Sequence, residues 1–134
     1  MTADGLITIE SRYGPEETMN RFEAEVRARG MTVFAHVDHA AGATTVGLPL
    51  RPTELLVFGN AKAGTLLIQS IQTVGIDLPL KALVWQDASG TAWLSYNDPA
   101  FLARRHGVEG EENMTINAMA SALEAIAGKA TATS

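Results

Sequence analysis

Apolar and polar positions recur with two different periods along this chain, and the two periods predict a mixture of strands and helices. Short runs rich in β-branched and aromatic residues predict five strands, over residues 6–11, 31–38, 54–58, 78–86 and 91–96. Apolar side chains at helical spacing predict four helices: one opened by Pro15, one after Asn60 that continues to Val74, a short one around Phe101, and one over residues 114–127. The predicted order is β-α-β-β-α-β-β-α-α.

This order predicts an α+β fold in which a single-layer antiparallel sheet has helices packed on one face. Residues 42–52 are rich in Gly, Thr and Pro and predict an irregular excursion, so we expect residues 1–134 to form one domain. Its core is expected over about residues 6–127, followed by a flexible tail over residues 128–134.

The turn sequence Asp87–Gly90 predicts a hairpin between the last two strands. With its tip at residues 88 and 89, this hairpin places Lys81 opposite Tyr96, so that both side chains face the same side of the sheet. The same register places Trp85 and Trp93 on opposite faces. An apolar face that ends in a lysine and a tyrosine indicates the floor of a pocket.

Composition and charge narrow the classes of protein. Hydrophobic residues make up 46% of the 134 residues, which excludes a disordered chain. The net charge of −5 disfavours a nucleic-acid partner, and the lack of cysteine excludes disulfides, thiolate metal sites and a cysteine nucleophile. The apolar runs are far shorter than the roughly 20 residues of a membrane-spanning helix, and no signal peptide is visible. These features predict a cytoplasmic protein without a membrane partner.

The few polar residues concentrate where apolar elements end, as expected for a ligand site at the strand ends. The candidate ligand-binding residues are Asp38, Arg51, Gly59, Asn60, Lys62, Gly64, Thr65, Asp77, Asn97, Asp98 and Arg105.

The segment Gly59–Thr65 leads from an apolar strand into a helix, and such a glycine-rich turn offers backbone N–H groups to an anion. Lys62 adds a positive charge and Thr65 a hydroxyl. The segment differs from a Walker A loop because its lysine precedes the second glycine. In the alternative interpretation the glycines only turn the chain, Thr65 caps the helix, and Lys62 is solvated.

Four side chains suit acid–base catalysis, namely His39, Lys81, Tyr96 and His106. A histidine would act as the base, with the lysine or tyrosine as its acid or electrophilic partner. Asp38 together with His39 and His106 raises the question of a metal ion, but nothing in their spacing indicates convergence, so no metal site is assigned. Structural roles for these residues, as caps and ion pairs, remain the alternative.

The polar motifs and their order resemble those of the bacterial and archaeal family DUF 302, a domain of unknown function. The segments that carry the resemblance are Asp38–Ala43, Leu50–Glu54, Phe58–Thr65, Gly75–Lys81, Ser95–Pro99 and Arg104–Gly107. The resemblance covers about residues 6–127 and implies a small α+β fold of the TT1751-like type, grouped with the TATA-binding-protein-like folds. It also implies a homodimer or another small self-assembly. The family has no established activity, and no cofactor is expected. The sequence departs from the family pattern at Ala61 and near Gln72, where proline is usual.

Three hypotheses follow for function. The first is a homodimeric domain that binds a small anionic molecule in a pocket at the strand ends. The second is a hydrolase-like or isomerase-like enzyme that uses the histidine, lysine and tyrosine candidates. The third is a structural dimeric interaction module whose charged residues only cap the fold. DNA binding is not expected despite the fold resemblance, because a shared fold does not imply a shared function.

Overall fold

The computed structural model describes residues 3–110 and 112–132. Five strands are formed: β1 Leu6–Glu10, β2 Thr32–Asp38, β3 Thr53–Gly59, β4 Leu80–Gln86 and β5 Ala92–Asn97. The α-helices are α1 Pro15–Ala28, α2 His39–Thr45, α3 Ala61–Ser70, α4 Pro99–His106 and α5 Glu112–Thr131, and a 3₁₀ turn covers Gln72–Ile76.

The strands form one sheet in the order β1-β5-β4-β3-β2, and every neighbouring pair is antiparallel. Helices α1 and α5 pack on each other and on this sheet. The first strand of the chain therefore pairs with the last strand, at one edge of the sheet. The α+β fold with one open antiparallel sheet is confirmed.

The core lies between the inner face of the sheet and helices α1 and α5. Phe22 on α1 and Phe58 on β3 are both fully buried, and their rings meet edge to face with centroids 5.3 Å apart. Alternate residues of the central strands, such as Leu56, Val84 and Leu94, complete this core. Each fully buried side chain of this size stabilises the fold by about 1.5–3 kcal/mol. The other alternate residues point to the outer face of the sheet.

The β4–β5 hairpin has a register one residue away from the predicted one. Trp85 lies directly opposite Trp93, and Leu83 lies opposite Ser95. The Asp87 backbone N–H donates to the Thr91 carbonyl at 2.9 Å, which leaves a three-residue loop that ends in a glycine at φ +88°. Loops of three residues commonly end in a left-handed glycine, and they shift the pairing by one residue relative to two-residue loops.

This shift reverses the predicted faces because side chains alternate along a strand. Trp85 and Trp93 lie on the same, outer face, with their rings stacked 6.0 Å apart. Tyr96 pairs with the buried Ala82 and belongs to the core, whereas Lys81 points to the outer face. The predictions that the tryptophans face opposite sides and that Lys81 shares a face with Tyr96 are therefore wrong.

Two predicted irregular segments are helical. Residues 42–45 of the expected excursion belong to α2, which begins at His39 because the Asp38 carboxylate accepts a hydrogen bond from the Ala41 N–H and so caps the helix. The expected tail is also wrong over residues 128–131: α5 continues to Thr131, which is 4% exposed, and the Thr131 carbonyl accepts from the Arg12 N–H. Residues 133–134 lie outside the described part of the chain.

The predicted helix after Asn60 is shorter than expected. Helix α3 ends at Ser70, and the apolar stripe continues through a separate 3₁₀ turn, in which Val74 is buried. The β-branched Ile71 adopts an extended conformation between the two segments. Leu67 and Val74 are therefore both buried, although they belong to two separate segments and not to one continuous helix.

Gly90→Ala tests the hairpin turn. The added methyl group would meet no atom within 4 Å, but the left-handed backbone should cost about 1–2 kcal/mol of unfolding free energy. Gly128→Ala, in α5, is the matched control because its methyl group also meets nothing and alanine favours a helix by about 1 kcal/mol. In urea denaturation, Gly90→Ala should lower the free energy of unfolding and Gly128→Ala should raise it. Equal changes in the two variants would contradict the assigned turn.

Candidate functional site

Three of the predicted ligand-binding residues cap helices. The side chains of Asp38, Asn60 and Asp98 accept hydrogen bonds from the first turns of α2, α3 and α4, respectively, at 2.9–3.1 Å. Each satisfies a backbone N–H that the helix itself leaves without a partner. Thr65 was the expected cap of α3, and Asn60 takes that role instead because α3 begins directly at Ala61.

Four predicted residues line a small cavity at the junction of β3 and α3. Gly59, Asn60, Gly64 and Thr65 contribute to its wall, and its volume is about 170 Å³. The remaining lining side chains are mostly apolar: Phe34, Ile68, Leu78, Pro79, Leu80 and Met119. The structure therefore brings together much of the predicted glycine-rich segment at one strand end.

A larger concavity of about 460 Å³ adjoins this cavity and shares Asn60, Leu80 and Met119 with it. Met31, Met114 and small residues of α5 line its walls, and Arg29 lies at its border. We call the two cavities together the α3–α5 groove. Sequence reasoning missed its methionine walls, although flexible methionines near a predicted helix face are a usable signal for an adaptable site.

Asp77, Arg105 and His106, which were also predicted as site residues, form a separate polar cluster. Asp77 accepts from the Arg105 guanidinium at 2.9 Å, and its other oxygen lies 2.6 Å from His106 Nε2. His106 Nδ1 lies 3.0 Å from the Thr73 hydroxyl. The His106 side chain is only 8% exposed. These contacts join the end of α4 to the 3₁₀ turn and occupy both ring nitrogens, which favours a structural role.

The four acid–base candidates do not converge on one point, although two of them, Lys81 and Tyr96, line the same concavity. His39 opens α2 and is exposed, Lys81 lies on the outer face of β4, Tyr96 is in the core, and His106 ends α4. Within residues 3–110 and 112–132, no hydrogen bond or ion pair joins any two of them. In the same part of the chain, no group of three His, Asp or Glu residues is placed to hold a metal ion.

Of the remaining predicted residues, Lys62 is exposed in the first turn of α3, and Arg51, Lys81 and Asn97 lie near the outer face of the sheet. Arg51 donates to the Gln86 carbonyl at 3.1 Å, and Lys81 donates to the Pro79 carbonyl at 3.2 Å. Lys81, Tyr96 and Asn97 line a concavity of about 610 Å³ on that face. This concavity lies on the opposite side of the sheet from the core helices, so it is distinct from the α3–α5 groove.

Comparisons with known proteins define the family to which this chain belongs. A family model described as a domain of unknown function, DUF302, matches residues 7–126, and the chain belongs to this family. The solved structure of an uncharacterised conserved DUF302 protein from Bacillus stearothermophilus matches with a TM-score of 0.84 at 21% identity, covering 96% of this chain and 99% of that chain. This match supports the fold alone.

Curated relatives carry the same domain within longer chains. A protein from Brucella suis named "Fluoride-specific ion channel FluC 1" is 50% identical over 115 residues, which cover 86% of this chain and 45% of that relative. A relative of the same name from Brucella abortus is also 50% identical, over 43% of its length. The chain thus spans less than half of these relatives. None of its own described helices is long and apolar enough to cross a membrane.

The departures from the family pattern fit the observed helices. Ala61 is the first residue of α3, and Gln72 is the first residue of the 3₁₀ turn. Proline is tolerated at such positions because the first N–H groups of a helix have no internal partner. A proline at either position would therefore be compatible with the observed helix start.

Asp77→Ala tests the structural role of the polar cluster. Removing the carboxylate leaves the side chains of Arg105 and His106 without the acceptor that they share. We therefore expect a loss of about 2–3 kcal/mol in unfolding free energy. Arg105→Ala, whose side chain is 54% exposed, is the control and should cost less than about 1 kcal/mol. Urea denaturation of both variants measures this difference. An unchanged stability of Asp77→Ala would contradict the structural interpretation.

Tyr96 gives the fold a dependence on alkaline pH. Burial, together with the nearby carboxylates of Glu124 and Asp98, raises the pKa of this phenol above its ordinary value. The folded state therefore holds the proton more tightly than the unfolded state, so stability should fall as pH rises past about 10. Unfolding free energies at pH 8 and pH 10.5 should diverge less in Tyr96→Phe than in the native chain. Equal pH dependence in the two proteins would contradict this assignment.

Proposed function

We propose that this domain binds a small amphipathic anion, of the class of medium-chain carboxylates, in the α3–α5 groove. The observation that supports this proposal is the continuity of an apolar, methionine-lined concavity with the N-terminal turn of a helix. The larger part of the groove, about 460 Å³, is within the range of roughly 300–1,000 Å³ that is common for small-molecule sites.

The α3 end of the groove suits an anionic head group. A helix N-terminus carries a partial positive charge, and its first N–H groups have no intrahelical acceptor. Asn60 satisfies the Ala63 N–H, and Lys62 in the same turn is exposed. Arg29 adds a second cation at the border of the larger concavity. In an acidic chain of net charge −5, these cations set this end of the groove apart from most of the surface.

The rest of the groove suits an apolar tail. Met31, Met114 and Met119 are unbranched and flexible, so they adjust to a chain-like ligand without fixed ring geometry. Met114 is 77% exposed, and a bound tail would remove part of that side chain from water. Gly64 keeps the smaller cavity open because it has no side chain.

The relatives favour a second candidate function, that of a module attached to an ion-transport protein. Two relatives named as fluoride-specific ion channels share half of their aligned residues with this chain over less than half of their own length. In this proposal the domain binds its ligand and thereby modulates the channel to which the domain is attached. Fluoride itself would then compete at the α3 N-terminus, whose first residue, Ala61, lines the groove.

Isothermal titration with decanoate tests the ligand class. Decanoate should bind more tightly than decanol by up to about fivefold, which corresponds to the interaction of one charge with a helix terminus. Lys62→Ala should weaken decanoate binding several-fold, whereas Lys129→Ala, an exposed lysine of α5, should leave it unchanged. Sodium fluoride added at constant ionic strength should reduce the affinity only if the second candidate holds.

Gly64→Leu tests the location of the site. A β-carbon at this position would lie 3.8 Å from the Leu78 side chain, so the backbone tolerates it, but the remaining atoms of leucine would fill the smaller cavity. We expect a loss of at least tenfold in decanoate affinity with an unchanged circular dichroism spectrum. Full affinity in this variant, or no binding of decanoate to the native chain, would refute the proposed site.

A further inference from the structure

The concavity of about 610 Å³ on the outer face of the sheet has no part in the proposed ligand site, and we call it the outer concavity. Its volume is within the range of roughly 300–1,000 Å³ that is common for small-molecule sites. Strands β1, β3, β4 and β5 all contribute to its wall. Because it lies on the opposite side of the sheet from the α3–α5 groove, a ligand in one of them does not exclude a ligand in the other.

Three cross-strand rows of side chains explain the shape of the outer concavity. Trp85 pairs with Trp93 in the first row, and Ser95 pairs with Thr8 in the second. Leu6 belongs to the third row. Successive rows are two residues apart, which is roughly 6.6 Å along a strand. The two hydroxyl side chains are much smaller than the indole rings on one side and Leu6 on the other, so they form the floor.

The hydroxyl groups of this floor leave one proton without an acceptor. The Trp85 indole N–H donates to the Ser95 hydroxyl at 2.9 Å, and the hydroxyl oxygens of Ser95 and Thr8 lie 2.9 Å apart. Two hydroxyl groups supply two protons, and the hydrogen bond between them uses one. Within the described part of the chain, neither hydroxyl group makes any other hydrogen bond. One O–H donor therefore remains for a ligand that accepts a hydrogen bond.

Lys81 adds a positive charge to this donor, and it is the only charged side chain among the described residues of the lining. Its ammonium group donates to the Pro79 carbonyl at 3.2 Å and forms no ion pair with any described residue. An ammonium group has three N–H donors, so two of them remain. The lining thus combines a cation with free donors, and a carboxylate is the ligand group that such a set binds well.

The indole rings form an aromatic wall beside these donors. The rings of Trp85 and Trp93 stack with their centroids 6.0 Å apart, and the Trp93 indole N–H donates to the Asp87 carboxylate at 2.8 Å. Because both indole N–H groups have partners inside the chain, the rings are held in place and present apolar area. Planar aromatic groups pack on such rings in offset stacks or edge to face. The lining therefore suits a ligand that joins an aromatic plane to a carboxylate.

The charges at the two ends of the outer concavity orient this ligand. Glu10 pairs with Trp93 in the first row, so its carboxylate repels an anion from that end, whereas Lys81 attracts the anion to the third row. The Trp85 indole reaches Ser95 in the second row. The aromatic plane and the charge of the ligand are therefore separated by about one row spacing, roughly 6.6 Å. A carboxylate attached to a two-ring aromatic system has a comparable separation.

We propose that the outer concavity is a second small-molecule site, which binds a planar aromatic carboxylate. The carboxylate lies between Lys81 and the hydroxyl pair of Thr8 and Ser95, and the aromatic rings pack on Trp85. The outer concavity and the α3–α5 groove share no described lining residue. This site therefore does not depend on the proposed function, and either proposal can fail without the other.

Isothermal titration with 2-naphthoate tests the ligand class. The native chain should bind 2-naphthoate more tightly than the neutral 2-naphthamide by about fivefold or more, because only the carboxylate pairs with the Lys81 ammonium group. Lys81→Met keeps most of the side-chain length without the charge and should abolish this preference. Lys129→Met, at an exposed lysine of α5, is the matched control and should leave the preference unchanged. No binding of 2-naphthoate, or a preference that survives Lys81→Met, would overturn the proposal.

Thr8→Leu tests the location of this second site. The larger side chain should fill the floor of the outer concavity, and we expect a loss of about tenfold or more in 2-naphthoate affinity with an unchanged circular dichroism spectrum. Thr44→Leu, at an exposed threonine of α2 outside the concavity, is the control and should leave the affinity unchanged. Full affinity in Thr8→Leu would overturn the assigned location.

The native chain provides a test that needs no variant. In NMR spectra, 2-naphthoate should shift the indole N–H signals of Trp85 and Trp93, because the ring current of the ligand acts on the rings that it packs against. Saturating decanoate should not displace 2-naphthoate. Indole signals that do not move, or displacement by decanoate, would overturn the second site. The indole shifts decide this proposal even if decanoate does not bind, so its failure is distinguishable from failure of the proposed function.

Discussion

The register of the β4–β5 hairpin is the constraint on which the rest of this structure depends. The three-residue loop before Thr91 aligns Trp85 with Trp93, and strand alternation then assigns every side chain of the two central strands to one face or the other. A slip of one residue would place Lys81 and Tyr96 on the same face, so that either Lys81 would be buried or Tyr96 would be exposed. Asp87 helps to hold this register because its carboxylate accepts from the Ser89 and Thr91 N–H groups and from the Trp93 indole.

That register separates two surfaces of different character. On the inner side, Leu94 and Tyr96 pack under α1 and α5, and the strand ends on this side adjoin the methionine-lined groove. On the outer side, the indole rings are ordered by hydrogen bonds but remain only partly buried. The chain thus has a concave, methionine-lined surface on the helical side of the sheet and a broader apolar surface on the outer side.

The sequence predicted the fold better than it predicted the site. Hydrophobic periodicity located all five strands within a few residues, and α1 and most of α5 as well, because burial of one face enforces a regular pattern. It missed the hairpin register, since the choice between loops of two and three residues depends on whether Gly90 takes a left-handed conformation. It also missed the end of α5, where burial of Ala130 against the rest of the fold overrides the tendency of a terminus to fray.

The predicted site residues show why polar residues at element ends are ambiguous. Asp38, Asn60 and Asp98 lie at strand ends because helices start there and need caps, a requirement that operates with or without a ligand. Asp77 lies at its position because it joins the 3₁₀ turn to α4. The glycine-rich segment lines the smaller cavity of the α3–α5 groove, and the methionines of α5 that line the larger one belong to no recognisable motif.

The claim that the ligand site lies on the helical side of the sheet is tested most directly by an amide NMR titration of the isotope-labelled chain with decanoate. The expected result is a set of chemical-shift changes confined to Asn60–Thr65 and to the α5 residues around Met119, with the two indole N–H signals of Trp85 and Trp93 unmoved. Shifts that centre on the indole signals, or no shifts at millimolar decanoate, would contradict the assignment of the ligand site to the helical side of the sheet.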